Sequence, residues 1–564
     1  MSFSVKVDKQ SIPQLIHDIE DISNYMLPSF QRRFLWDEDD ILKLLDSIKN
    51  GYPIGNVILW KKPENVEIEE IDPLSKPLIR TIKKDASSTY FVIDGQQRLT
   101  SLLLAFNGWR ITRGDEEISR SPISYEPNSG RFYKGAKRGK DFSIILRGLV
   151  YGDYKALREV FNEFSREAYA KVEEVTTAFK SYEIPTYVIE TPGINENVIN
   201  MLVEAFIRVN KYGERIKSLE LVLSYIAGRV SGKAKENIMR LFNCYEKSFD
   251  LDLQPLIRYS LAVSNVRQSG ISSASPRKMG KLVKDYKGQI TETLVERYDE
   301  VKRGLDFTYR FMKNTLGITS AEILPSQITL VPLSVFFYGQ RIKSIDQLSE
   351  SEKRKIEDWF VLVNFTTYYT SKTDSKLQKD INVLKEASRF PYSDLIKNIS
   401  EYHGRTLIKE NDVRRGMKIT ATKRPGKPYL FLLYMLLVKN DADDWTGIRI
   451  RARKWGDLST HHLFPRDYIL DNKDKLEYED QDELEKLISN ICNISKIEKS
   501  KNIEIGSTPP KKYLKELDIT TLDKHMIPRD DSLYDIEHYD EFLEKRMKLI
   551  LNNLTRHYSS IVSS

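Results

Sequence analysis

Cysteine is nearly absent: Cys244 and Cys492 are the only two in 564 residues, and no CxxC pair occurs. A disulfide framework and a cysteine zinc site are therefore excluded, and a reducing compartment fits. Long apolar runs are missing as well. The longest, Tyr429 to Val438, is about half the length a membrane span requires. Met1 to Gln10 alternate polar and apolar side chains, with no basic stretch followed by an apolar core, so no secretory signal is expected. The expectation is a soluble cytoplasmic protein with no membrane partner. No GxxxxGK[ST] sequence is present, which argues against an ordinary P-loop engine. There is also no internal repeat.

What is there suits a folded multidomain chain. Apolar residues make up 40%, aromatics 10% and charged residues 30%, too apolar for wholesale disorder. At roughly 150 residues per domain the length implies about three or four domains. The net charge of +7 is weak evidence for a nucleic-acid partner by itself, because the distribution of charge matters more than its sum.

The first 110 residues read as mixed α/β, with β-rich runs at Gly55 to Trp60 and Tyr90 to Ile93 and helical patterns at Glu38 to Lys49 and Leu99 to Phe106. Residues 111–145 read as an insertion or long loop with a basic tip that includes Lys137 and Arg138. That tip is either a solvated surface or a phosphate contact. Ser264 to Gly280 is the most linker-like stretch, and 285–400 read as nearly all helix, with Trp359 to Phe365 buried. A C-terminal unit follows, entered through Arg414, Arg415, Lys418, Lys423, Arg424 and Lys427.

Two clusters carry chemistry in the N-terminal part. In Tyr90-Phe-Val-Ile-Asp94-Gly95-Gln96-Gln97-Arg98-Leu99 a buried strand ends, Gly95 permits an unusual backbone angle, and an apolar-periodic helix begins. Backbone N–H groups and the helix dipole there favour an anion, and Arg98 offers a planar fork for a phosphate. Asp94 suits a metal or a ribose hydroxyl; alternatively Asp94 and Arg98 simply pair with each other. The second cluster, Leu27 to Trp36, places Gln31 and Arg32 as its pocket-facing polar members, with Phe34 and Trp36 in the core and Asp37 capping the next helix.

The C-terminal cluster is built on His461-His462, adjacent in a chain with seven histidines, followed by Asn493 and Asn502. In an extended segment neighbours point to opposite faces, so both histidines serve one site only where the strand ends or bends. Pro465 makes an ending plausible. Arg449, Arg451 and Arg453, set alternately on a strand ahead of the histidines, would form a phosphate track beside them or a solvated face.

Pro-Ser-Phe-Gln-Arg at 28–32, Gly-Tyr-Pro-Ile-Gly at 51–55, Asp-Gly-Gln-Gln-Arg at 94–98, and the later Asn210, Gly213 and Leu219-Glu220 occur in the order seen in GmrSD-type modification-dependent restriction enzymes. The chain resembles that family over roughly residues 10–230. The resemblance implies a ParB/sulfiredoxin-like α/β fold in which Asp94, Gly95, Gln97 and Arg98, with Gln31 and Arg32, bind a nucleoside triphosphate, GTP or ATP. His-Leu-Phe-Pro, Asn-Ile-Cys-Asn, Asn-Ile-Glu-Ile-Gly and Pro509-Pro510-Lys-Lys-Tyr513 look like the HNH domain of the same family. That likeness makes His462 the general base, Asn493 the residue that positions it, and His461 and Asn502 the ligands of one divalent cation, Mg²⁺ or Mn²⁺.

The implied architecture is multidomain α+β: a nucleotide-binding domain over 1–230 with the basic insertion near 111–145, a mostly helical middle over 231–405, and a ββα-metal HNH domain over 406–564. The implied activity is a nucleotide-regulated, modification-dependent endonuclease, nicking or cleaving double-stranded DNA in defence against phage or foreign DNA. Relatives of the SspE and BrxU type suggest glucosylated or phosphorothioated DNA as the partner, and a homodimer as one assembly. A nucleotide-gated, ParB-like DNA-binding switch with a non-catalytic HNH region is the alternative.

Overall fold

The computed structural model describes residues 4–28, 34, 36–71, 75–80, 82–114, 116–135, 139–195, 198, 201–202, 222–223, 225–226, 230, 232–272, 276–340, 344–417, 426–476, 484 and 488–563. The chain forms two compact units, Met1–Lys235 with Ala274–Asp285, and Glu236–Ser273 with Tyr286–Ser564. The second takes in both the helical middle and the C-terminal segment.

The first unit is built on a six-stranded sheet. Its strands are β1 (Ser4–Ser11), β2 (Asn24–Leu27), β3 (Val57–Lys61), β4 (Lys76–Pro77), β5 (Thr89–Asp94) and the late strand Glu183–Glu190, in the order β1, late strand, β3, β5, β2, β4. Helix α1 (Ile12–His17) starts with a reciprocal cap: the Ser11 hydroxyl accepts the Gln14 amide while Gln14 Oε1 accepts the Ser11 N–H. In α2 (Glu38–Lys49), Ile41, Leu44, Leu45 and Ile48 recur at helical spacing and are buried, and Asp37 caps the start through the Asp39 and Asp40 amides, as the sequence predicts.

One expectation is corrected here. Residues 111–145 are not a long loop but short antiparallel strands, Arg110–Arg113 with Glu116–Ser119, and Ile123–Glu126 between Arg131–Lys134 and Lys140–Asp141. The reason lies in alternation: Phe132 turns inward against Phe142 at 4.8 Å between ring centroids while its neighbours stay outside. Lys134 pairs with Asp39 at 2.5 Å and Lys140 with Glu163 at 2.6 Å, so these cations are already matched. Lys137 and Arg138 lie outside the described residues.

The second unit is mainly helical. Glu350–Phe365 is buried throughout from Ile356 to Phe365, and Lys427–Lys439 from Phe431 to Val438, which places both apolar runs in a protein core. Among the described residues no helix is long and apolar enough to cross a membrane. The linker-like stretch near 264–280 is where the chain passes from one unit to the other, at Ser273–Ala274. A short antiparallel pair, Leu458–His462 and Ile494–Glu498, followed by the helix Lys499–Ile505, forms a strand–strand–helix element late in this unit. Between the two strands runs the short helix Arg466–Asp471.

Within the helical part, Asp380 is fully buried and accepts hydrogen bonds from Tyr369 Oη at 2.7 Å and Asn398 Nδ2 at 2.8 Å. Desolvation outweighs those bonds and pushes its carboxyl up to about 6. A raised carboxyl favours the fold fully below the unfolded value and loses that contribution as pH rises through about 6. Asp380→Asn cannot ionise, so its stability relative to wild type should improve by about 2 kcal/mol between pH 4 and pH 7.5. Urea unfolding of both proteins across that range checks the trend; a pH-independent difference would contradict it.

Candidate functional site

Two groups of polar residues are assembled, one in each unit. In the first, Asp94 is the last residue of β5 and Gly95 turns the chain with φ +99° into α3 (Gln96–Phe106). A side chain at 95 would meet Val57 Cγ2 at 3.0 Å, so the turn is glycine-specific in both angle and space. Gly95 brings no side chain to the helix start, and no side-chain cap forms there. The first-turn amides of α3 and the positive end of its dipole are what this turn presents to an anion.

Asp94 and Arg98 pair across one helical turn, Arg98 Nη2 to Asp94 Oδ2 at 2.9 Å, and Arg98 Nη1 donates to the Ile54 carbonyl at 3.0 Å. Asp94 and Arg98 therefore pair with each other, one of the two readings the sequence left open. Gln97 Oε1 accepts the Trp36 amide at 3.2 Å, which ties the end of the Leu27–Trp36 segment to the Asp-Gly-Gln-Gln-Arg turn. Gln31 and Arg32 lie outside the described residues, as do Asn210 and Gly213. Gly55, with φ +87°, sits directly against Arg98 Nη1, where a Cβ would collide with it. A cavity of about 930 Å³ opens beside the same loop, lined by Gly51, Pro53, Ile54, Gly55, Tyr182 and Tyr187 among others; it shares Ile54 and Gly55 with the Arg98 contacts but not Asp94 or Arg98 themselves.

In the second unit His461 and His462 end the strand Leu458–His462, facing Ser495 and Ile494 in register. His461 is buried. Its Nδ1 lies 2.8 Å from Asn502 Oδ1 and its Nε2 3.0 Å from Tyr513 Oη. Tyr513 spends its only proton on the Leu463 carbonyl at 2.5 Å, so His461 Nε2–H is the donor in the other bond. With that tautomer Nδ1 carries a lone pair toward the Asn502 side-chain amide, whose oxygen and nitrogen ends exchange places by a simple flip. Burial, reinforced by His462, His525 and Arg546, holds His461 down to about 4 against the opposing pull of Asn502, so the ring is uncharged at neutral pH.

His461 Nδ1 and Asn502 Oδ1 are the two groups here that could hold a divalent cation. Tyr513 supplies the outer hydrogen bond that orients the imidazole. Among the described residues there is no group of three or more His, Cys, Asp or Glu side chains to hold an ion, so phosphate and water oxygens would complete its shell.

Asn493 is fully buried and satisfied on both ends of its amide: Oδ1 accepts Phe464 N–H at 2.7 Å, and Nδ2 donates to Phe464 O at 3.1 Å and Ile488 O at 3.0 Å. It clamps the chain two residues after His462. His462, half-buried, makes no hydrogen bond among the described residues, and desolvation followed by the charge of Arg466 lowers its pKa. A neutral, unengaged imidazole at a strand end is suited to accept a proton.

The arginine row is corrected. Residues 450–452 form a turn of 3₁₀ helix rather than a strand, and the three guanidiniums go separate ways: Arg449 to Asp441, Arg451 to the Asn314 carbonyl, Arg453 to the buried Asp444. Sequence reasoning gave no role to Tyr513, Trp445 or His525. Trp445 lies 5.1 Å from the His461 ring and 5.5 Å from that of His525, whose Nε2–H donates to Asp443 O while Nδ1 accepts from Ser495 Oγ. The only signal for Tyr513 was its place in the Pro-Pro-Lys-Lys-Tyr motif.

Comparison with known proteins bears on the first of these sites. Residues 12–227 match the family described as GmrSD restriction endonuclease, N-terminal domain. The Asp-Gly-Gln-Gln-Arg turn and the Gly55 loop both lie inside that match. A protein of Methanocaldococcus jannaschii, described as uncharacterized protein MJ0686, is 24% identical over 541 residues, covering 87% of this chain and 84% of its own. That match covers the N-terminal part of the chain alone, and what it is similar to is the N-terminal domain of a restriction endonuclease.

The two loop glycines make a paired test. Gly51 has φ +69° with nothing near its Cβ position, whereas Gly55 abuts Arg98. Gly51→Ala should cost about 1 kcal/mol from backbone strain alone, and Gly55→Ala about 1–2 kcal/mol more, because it also displaces Arg98 from the Ile54 carbonyl. Denaturant titration of the two variants gives the comparison, and equal losses would refute the contact.

Proposed function

We propose that this chain is a nucleotide-regulated, modification-dependent DNA endonuclease whose hydrolytic centre is the strand–strand–helix element around His461 and His462, an HNH centre of the ββα-metal type. The observation that carries the reading is the strand–strand–helix element that brings His461 Nδ1, at the end of one strand, to 2.8 Å from Asn502 Oδ1 on the helix. Mg²⁺ or Mn²⁺ bound by them would offset negative charge on a phosphodiester. His462 takes a proton from the attacking water, and Asn493 fixes the main chain that follows it. His461 is held in one tautomer, so its ligating nitrogen needs no rearrangement.

In the GmrSD-type domain, the reading places a GTP or ATP phosphate at the start of α3, where the first-turn amides meet Arg98. Asp94 releases Arg98 to the phosphate or shares it with a nucleotide-bound cation. Gln31 and Arg32 are assigned to the same site by the resemblance. Nucleotide turnover would license cutting of double-stranded DNA bearing a glucosylated base or a phosphorothioate, in defence against foreign DNA, with a homodimer as one working assembly.

Matched plasmids, unmodified, glucosylated and phosphorothioated, test this with Mg²⁺ or Mn²⁺ and with or without GTP or ATP. Wild type should cut one of them, and His462→Ala should lose about 10²–10⁴-fold in cutting rate while retaining nucleotide hydrolysis, the contribution of a positioned base. Nucleotide hydrolysis without cutting in any condition would instead favour a nucleotide-gated DNA-binding switch.

Tyr513→Phe separates support from chemistry. It leaves the Leu463 carbonyl and His461 Nε2–H without their partner, so the variant should lose about 1–3 kcal/mol of stability and bind Mn²⁺ about 10–100-fold more weakly. Calorimetric Mn²⁺ titration at a temperature where the variant is folded reads the second effect; unchanged affinity would remove Tyr513 from the metal's support.

A further inference from the structure

A group of cations in the second unit gathers beside the C-terminal helix Tyr539–Tyr558. A groove of about 770 Å³ runs beside it, lined by Lys439, Lys524, Arg529, Lys545, Lys548 and Arg556 against only Asp523 and Asp530. Some of this charge is internally matched: Lys439 pairs with Glu357 at 2.7 Å, and Arg529 Nε with Asp523 at 2.7 Å. Lys524, Lys545 and Lys548 have no ion pair among the described residues. Arg556 meets no carboxylate among the described residues: its Nη2 lies 2.8 Å from Asn440 Oδ1 and from Asn553 Oδ1 and 3.1 Å from His557 Nε2. Unmatched cations crowded along one groove repel each other, and an anion running the same length removes that cost.

The geometry points to this groove as a docking track for the sugar-phosphate backbone of duplex DNA, separate from the hydrolytic centre and serving to hold the strand that the centre cuts. The inference rests on the DNA-cleaving reading above. Length favours a polymer over a single nucleotide: Lys545 to Arg556 spans about 16 Å of helix, several phosphate spacings along one strand, whereas the phosphates of one nucleotide cluster at a point. Ile527, Pro528 and Leu549 supply apolar wall between the cations, as alternating sugars and phosphates require.

The groove is also rigidly joined to the proposed centre. Arg546, fully buried between Lys545 and Met547, donates Nη1 to Cys492 O at 2.7 Å, Nη2 to His525 O at 3.1 Å and Nε to Met526 O at 3.2 Å. Cys492 precedes the clamp residue Asn493, and His525, next to Lys524, reaches Ser495, the cross-strand partner of His461. A backbone held by Lys524, Lys545 and Lys548 is therefore held in a frame continuous with the hairpin.

The test is fluorescence anisotropy of a labelled 30-base-pair DNA duplex against the full-length chain carrying His462→Ala, from 50 to 200 mM salt. Into this background go Lys524→Glu, Lys545→Glu and Lys548→Glu together, and separately the milder triple change to Gln. The expected result is at least tenfold weaker binding for the Glu triple at 100 mM salt, with the slope of log K against log salt shallower by about 2–3, because each lost phosphate contact removes about 0.9. The Gln triple should show the same shallower slope with an unchanged melting temperature. Unchanged affinity and slope in both triples overturns the track, and so does a parent that binds ATP but no duplex. Hydrolysis of bis(p-nitrophenyl) phosphate by the chain with His462 intact reports the centre without DNA. Its absence beside a normal groove result would sink the nuclease reading and leave the track standing, and its retention in the Glu triple with duplex affinity lost would support both.

Discussion

One buried amide sets the terms for the second unit. Asn493 exposes nothing to solvent, and among the described residues its side chain bonds to the backbone of Phe464 and Ile488 alone. An unsatisfied buried amide is expensive, so the chain on either side must keep those hydrogen bonds or lose the fold locally. Leu463 N–H adds a fourth tie, donating to Asn493 O at 2.8 Å. The strand bearing the histidines thus ends where Asn493 makes it end. Tyr513, Trp445 and His525 then fill the space behind His461, each held by a bond or ring contact that assumes this geometry.

The first unit solves a related problem by removing atoms. At Gly95 a strand passes directly into a helix with no capping side chain, and at Gly55 a Cβ would displace the Arg98 guanidinium from its place. The guanidinium is therefore fixed from two directions, by the Ile54 carbonyl and by Asp94. Arg98 is a partly buried cation with one neutralising partner, and exchanging that partner for a phosphate alters the charge balance without requiring the arginine to find a new place.

Local signals were legible in the sequence wherever they were periodic or capped. The Glu38–Lys49 helix, its Asp37 cap, the Tyr90–Ile93 strand, which runs one residue further to Asp94, and the buried Trp359–Phe365 stretch all follow from apolar spacing and one capping residue. Two readings failed for one reason. The 111–145 stretch and the Arg449–Arg453 row were judged by their charge, whereas Phe132 packing into the core decides the first and the buried Asp444 gathering Arg453 decides the second. Charge describes the outside of an element; the element itself was set by the few residues facing in. The candidate sites divide similarly. Asp94, Arg98, His461 and Asn502 stand in short motifs, but Tyr513 and His525 reach His461 from 52 residues away in one case and through Trp445 in the other. No periodicity records such a contact.

The path of the chain between its two units carries a consequence for modularity. Glu236–Ser273 belongs with the C-terminal residues, but Ala274–Asp285 returns to the N-terminal unit before the chain leaves it again at Tyr286. Neither unit is a contiguous piece of sequence. A single recombination breakpoint cannot exchange one of them for a homologue's version without stranding a helix, Pro276–Asp285, among foreign neighbours. Shuffling of these two units in evolution, or in the hands of an engineer, would have to proceed through matched junctions at three places.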